Sequence, residues 1–301
     1  MCNRRLRPLL FLMVCMLTTV HILKAQSLRQ QIDSLIYISF PDSNAPGAVF
    51  LVARKGELKY HKAVGRANME WALDMATNSV FQIGSMTKQF TAIAILLLEE
   101  QGKLRVSDPV ARFLPDFPNG QNITLHHLLT HSSGIRDFTK MKAINDIARK
   151  DLTPAALVEV FMREAPDFQP GEKFAYNNSG YVLLGYLIEL ISGETYADFI
   201  EKHLFRKAGM LQSSYASDRT IIPHRALGYH KKAGSFVNKT FISYTIPFSS
   251  GALMSTVGDL WKWQEALSDH RLLKPESSAK AFRTYRLNNG DSIAYGYGWH
   301  I

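Results

Sequence analysis

The pattern of apolar and polar positions changes period several times along the chain. Residues 47–53 (Gly-Ala-Val-Phe-Leu-Val-Ala) form a short apolar run rich in strand formers. Lys55-Gly56 is a turn signal and 57–65 continues as a second strand, so a hairpin is expected. Residues 80–84 read as a further extended segment. They run straight into a helical stretch at 85–100, whose middle, Ile93-Ala-Ile-Leu-Leu-Leu98, is apolar on every side. A helix apolar all round is a buried one. Gly102 is placed to stop it.

Beyond Gly102 the pattern is mostly helical. Ser107-Asp108-Pro109 and Thr153-Pro154 read as caps with proline in the first turn. A short helix is expected at 124–131 and a longer one at 179–191, stopped near Gly193. Thr195 caps another that runs to Leu204. The pattern loosens between 211 and 248. Gly251-Ala-Leu-Met254 then leads to Thr256-x-x-Asp259, a capping-box variant opening a helix that carries Trp261 and Trp263. Residues 293–301 alternate aromatics with glycine and read as a strand. Strands, a helical middle and strands again predict an α+β fold, with a sheet built from both ends of the chain. No repeat or long linker divides it.

The first 25 residues stand apart. Arg4, Arg5 and Arg7 precede an apolar run from Leu9 to Val20, and small Ala25 precedes a polar stretch. This reads as a secretory signal, too short for a good membrane span. An uncleaved anchor is the alternative. Removing 1–25 takes away four basic residues and no acid, so the formal charge falls from +9 to +5 over 276 residues. Both cysteines, Cys2 and Cys15, go with it. The mature chain then has no thiol, which excludes a cysteine nucleophile, a Cys-based zinc site and disulfides. A bacterial periplasmic or secreted location is expected. No basic block or nucleic-acid motif is present. The overall 46% hydrophobic and 20% charged content excludes extended disorder, collagen and coiled coil.

Ser85-Met-Thr-Lys88 is the first candidate site. A serine hydroxyl is a weak nucleophile until a base takes its proton. Residues i and i+3 share a helix face, so Lys88 sits one turn from Ser85. A lysine in an apolar pocket loses proton affinity and can serve as that base. About one S-x-x-K is expected by chance in a chain this long, and a second one exists at Ser277 and Lys280. That pair lies in a polar stretch, whereas Ser85 and Lys88 open the most apolar helix. Tyr176-Asn177-Asn178 is the second candidate. A tyrosine beside a lysine can shuttle protons, and an asparagine amide can hold a lysine and a substrate amide together. The other reading is a turn after Pro170-Gly171, with Asn178 capping the next helix.

Four segments, in this order, resemble the serine beta-lactamase and penicillin-binding protein superfamily, in the branch holding class C beta-lactamases, D-alanyl-D-alanine carboxypeptidases and related esterases. They are Phe81-Gln-Ile-Gly-Ser-Met-Thr-Lys88, Leu128-Leu-Thr-His-Ser-Ser-Gly134, Phe168-Gln-Pro-Gly-Glu-Lys-Phe-Ala-Tyr-Asn-Asn178 and Gly251-Ala-Leu-Met-Ser-Thr256. They correspond to S-x-x-K, with Y-x-N in place of S-D-N. The resemblance implies an antiparallel sheet flanked by helices beside an all-helical region. It implies Ser85 as the acylated nucleophile, Lys88 as its base and Tyr176 as proton carrier to the leaving group. Asn178 would position Lys88 and the substrate amide, and the Ser85 N–H would give half of an oxyanion hole. His131 is expected to be structural. The implied activity is a serine hydrolase, without metal or cofactor, acting on a beta-lactam, a D-Ala-D-Ala peptide or an ester. A non-catalytic homologue binding cell-wall fragments or a protein partner is the alternative. A monomer is expected.

A third motif, K-[ST]-G or H-x-G, is absent. Lys207-Ala-Gly209 and Lys232-Ala-Gly234 are superficially similar but precede Gly251, the wrong order. The motif belongs shortly after Tyr295-Gly-Tyr-Gly-Trp299, and the sequence ends at Ile301. The expectation is a domain over 26–301 that lacks its last strands and C-terminal helix, poorly active and prone to aggregate.

Overall fold

Lys55 and Gly56 both adopt positive φ, 54° and 74°, the geometry of a two-residue turn whose twist matches that of its flanking strands. They join strands Ala48–Arg54 and Glu57–Val64 into the expected antiparallel hairpin. The computed structural model describes residues 27–301, so the secretory signal read at 1–25 lies outside the described residues. Residues up to Asp42 form a separate unit. Its described part holds helix Leu28–Ser39, closed by a reciprocal capping box between Ser27 and Gln30.

In the main unit, from Ser43 onward, the core forms around helix Thr87–Glu100. From Phe90 to Leu98 every residue of it is buried, as the all-round apolar run requires. Helix Asn178–Ser192 packs against it, and helix Pro154–Met162 packs against that helix in turn. Thr153 caps the last of these, with Pro154 in the first turn. Trp263, on helix Val257–Ser268, stacks on Phe90 with ring centroids 4.0 Å apart. Burying side chains of this size contributes about 1.5–3 kcal/mol each.

A small antiparallel sheet locks the site segments together. Its order is Phe81–Gln82, Leu253–Ser255, Ser214–Tyr215. It delivers Gly84 and Ser85 from one strand and the 248–252 turn from the next. The fold is thus α+β with short antiparallel sheets, as predicted in class.

Four details differ from the sequence reading. No strand near residue 300 joins the first hairpin among the described residues, so no sheet is assembled there from both ends of the chain. Residues 293–301 are not a strand. Only Ser292–Ile293 pairs, with Tyr285–Arg286, and the chain then folds back, the Gly296 N–H donating to Trp299 O at 2.8 Å. Tyr295 and Tyr297 alternate because both are core residues of this turn. Gly298, at φ 89°, lets it lie on helix Thr87–Glu100, where a Cβ would come within 2.9 Å of Lys88 O. The helix after Thr195 runs past Leu204, through a wider π turn at Glu201–Phe205 to Ala208. Finally, Thr256 caps its helix, but Asp259 does not complete the box. Its carboxylate accepts from Gln212 N and Ser213 Oγ and pairs with Lys262.

The loosely patterned 211–248 region hides a second hairpin, Tyr229–Lys232 with Ser235–Asn238, turned at Ala233-Gly234. Its strands are mostly exposed, so no apolar alternation marks it.

Candidate active site

Ser85 lies in a 3-10 turn, Gly84–Met86, just ahead of the α-helix rather than in its first residues. Gly84 at φ 54° turns the chain out of the short strand and presents Ser85 to solvent. Main-chain N–H groups in a first helical turn lack carbonyl partners within the helix. Lys88, one turn on, is completely buried. Its Nζ is 3.2 Å from Ser85 Oγ, 2.9 Å from Asn178 Oδ1 and 2.9 Å from Ser250 O.

Among the described residues no carboxylate forms an ion pair with Lys88. Burial drives its pKa down to about 7, partly opposed by the negative charge of Asp137. The three neighbours suit a neutral amine. Such an amine has two N–H donors and one lone pair. With the N–H groups given to Asn178 Oδ1 and Ser250 O, the lone pair faces the Ser85 hydroxyl. The Ser85 hydroxyl is thereby the remaining partner of the Lys88 amine.

Tyr176 is brought to the same place. The Lys88 Nζ sits 4.8 Å from its ring centroid. Partial burial raises its pKa, with a hydrogen bond to Ser85 acting the other way. The phenol therefore keeps its proton at neutral pH, as a donor must. The choice left open for Asn178 is resolved by its neighbour. Asn177 caps helix Asn178–Ser192, accepting from Gly180 N and donating to Ile135 O. Asn178 is left to bond Lys88 and, through Nδ2, Thr139 Oγ1 at 3.3 Å.

His131 packs against the 175–177 segment. Its carbonyl accepts from Ala175 N and its Nδ1 from Asn177 N, at 2.9 and 3.1 Å. Its ring lies 4.4 Å from that of Tyr176. Burial, and then the charge of Lys88, hold its pKa well below the usual value. The neutral ring thus braces the 175–177 segment. Its own backbone is in the left-handed region, φ 57°, a strained state of the kind found at functional sites.

Sequence reasoning missed three contributors. Thr139 holds the Asn178 amide, and Asp137 in turn accepts from Thr139 Oγ1 at 2.8 Å. The D-x-T spacing of a side-chain-capped turn was the available signal. Ser250 acts through its carbonyl, which no side-chain pattern reveals. Its segment is stitched to the nucleophile helix by Thr91, which donates to Ser249 O, and by Thr87, which accepts from Leu253 N.

The rival motifs fall away. Lys280 is paired with Glu99 at 2.8 Å. Gly209 ends a helix and Gly234 turns the second hairpin. Among the described residues no cluster of His, Cys, Asp and Glu is placed to hold a metal, and no helix is long and apolar enough to cross a membrane.

Residues 26–301 match the Beta-lactamase family model. The chain is 36% identical over 263 residues to penicillin-binding protein 4* of Bacillus subtilis, covering 83% of this chain and 58% of that protein. It thus spans about three-fifths of the length of such curated relatives. The crystal structure of a penicillin binding protein from Bacillus halodurans superposes with a TM-score of 0.75 at 31% identity, over 88% of this chain and 81% of that one. A D-amino acid amidase from Ochrobactrum anthropi, solved with L-phenylalanine amide, gives 0.76 at 26% identity, over 89% and 80%. The hydrolase-type fold, the ordered motifs and these similarities together make the chain a member of the beta-lactamase family, within the serine beta-lactamase and penicillin-binding protein superfamily.

Proposed function

We propose that this protein is an exported serine hydrolase working through an acyl-enzyme at Ser85. The observation that carries the reading is the fully buried Lys88 amine, 3.2 Å from an exposed serine hydroxyl and anchored by two acceptors. A lysine placed so deeply without a carboxylate is costly unless its neutral form has a task.

In the acylation step Lys88 Nζ takes the Ser85 proton as Oγ bonds to the substrate carbonyl carbon. The Ser85 N–H stabilises the developing oxyanion. Tyr176 gives its phenolic proton to the leaving group as the acyl bond breaks, and the Lys88 ammonium restores that proton. Water then attacks the acyl-enzyme, with Lys88 again as base, and releases the acid. Similarity to penicillin-binding proteins and to an amidase supports peptide amides of the cell wall, beta-lactams or related esters as substrates.

A fluorescent penicillin or a fluorophosphonate should label the folded chain, and Ser85→Ala should abolish the label. Folded protein that takes up neither probe would overturn the proposal in favour of a binding-only role.

A further inference from the structure

One side of the cleft is built from a segment of unusual charge. Between Asp218 and Asp259 there is no acidic residue, while Arg219, Arg225, Lys231, Lys232 and Lys239 all fall inside that stretch. The second hairpin and the residue that follows it bring His230 and Lys239 into the lining of a cleft of about 560 Å³ that contains Ser85.

Two features give this cleft a direction and a chemistry. Its lining includes Asn178 but not Tyr176. On the proposed mechanism Tyr176 serves the leaving group, so the cleft lies on the acyl side of the bond to be broken. Its apolar lining comes from Phe138, Ile144, Ile242 and Ile246, and it is lined by no carboxylate. Asp137, beside Phe138, is buried and bonded to Thr139. Glu70 is bonded to Tyr229 at the base of the hairpin and does not line the cleft. Among the described residues Lys239 has no acidic partner. Its Nζ only rests over the Tyr244 ring, 5.1 Å from the centroid and 3.4 Å from the hydroxyl. A largely apolar cleft that also presents an ammonium without an acidic partner complements an acyl chain with a terminal carboxylate.

We infer that this site selects substrates whose acyl group carries an apolar stem and a carboxylate, read by Lys239 with His230 beside it. The inference rests on the serine hydrolase reading above. It concerns a cation on the acyl side, separate from any group that recognises the leaving group.

The test compares two p-nitrophenyl esters with the same six-carbon acyl length, the hexanoate and the adipate half-ester. The rate at which each acylates Ser85 in the full chain is followed by intact mass. The adipate ester should react at least fivefold faster at low salt, and the ratio should shrink as salt is raised. Lys239→Gln should bring the ratio towards one, and Lys239→Glu should invert it. The ratio is internally controlled, so a general loss of reactivity does not mimic the effect. Equal rates in the wild-type chain, or a ratio unmoved by Lys239→Glu, would refute the carboxylate preference and leave the serine hydrolase reading intact. Acylation by neither ester would refute that reading, and the inference with it.

Discussion

The side-chain amide of Asn178 donates to Thr139 Oγ1, and this bond decides which way the amide faces. With Nδ2 committed to Thr139, Oδ1 is turned to the Lys88 amine. Thr139 donates onward to the buried Asp137. Its hydroxyl proton is thereby spoken for, and only its acceptor side remains for Asn178.

Thr139→Val should therefore slow acylation of Ser85 about tenfold, the equivalent of one ordinary hydrogen bond of about 1.4 kcal/mol. Thr139→Ser should restore it. A shifted pH dependence should accompany the loss, because the setting of Lys88 changes. An unchanged rate and pH profile in the valine variant would show that Asn178 is held without Thr139.

The acylation rate should rise with pH through a midpoint near 7, since Lys88 must be unprotonated and burial brings its pKa to about 7. Lys88→Arg should be inactive across the range, as a guanidinium cannot give up its proton. A profile flat between pH 5 and 9 in stopped-flow acylation would contradict Lys88 as the base.

The same lowered pKa has a consequence for stability. Unfolded, the lysine holds its proton up to about 10.5; folded, it releases it near 7. Between those values the unfolded chain binds more protons, so this residue makes the fold more stable as pH rises. Below pH 7 both states are protonated and the penalty for the buried charge is constant. Measured against Lys88→Met by denaturant unfolding, the wild-type chain should gain up to about 1.4 kcal/mol per pH unit across that window. A pH-independent difference would mean that the folded amine titrates normally.

Gly185, inside helix Asn178–Ser192, faces the turn that carries Ser250. A Cβ there would fall 2.0 Å from Ser249 Oγ. Ser249 accepts from Thr91 and donates to Tyr181 O. Gly185→Ala should thus cost roughly 1–3 kcal/mol by overpacking and also displace the Ser250 carbonyl from Lys88. Calorimetry and penicillin labelling should both register the change. Glycine's poor helix propensity alone would have alanine stabilise the helix, so the sign of the effect is informative.

The clustering of Ser85, Lys88 and Asn178, with Tyr176 beside them, was legible from residue type and spacing: Ser85 and Lys88 one turn apart, Tyr176 and Asn178 two residues apart. The all-apolar run of 93–98 also declared its own burial. What stayed hidden depends on distant pairing. Ser250 contributes a carbonyl, and only the sheet partners of Leu253–Ser255 bring it near Lys88. Tyr295 and Tyr297 showed a two-residue alternation that mimics a strand, yet Gly298, at positive φ just after them, permits a tight, buried turn. The hairpin at 229–238 has neither face in the core, so no periodicity could announce it.

The burial of helix Thr87–Glu100 ties chemistry to cohesion. Lys88 rides on this buried helix, and its acceptors come from segments packed on that same rod. Freeing the Lys88 amine therefore requires opening the core itself. Reactivity at Ser85 should consequently behave as a gauge of the whole: heat or urea should extinguish labelling along the same curve that ellipticity follows, with no inactive yet folded species between.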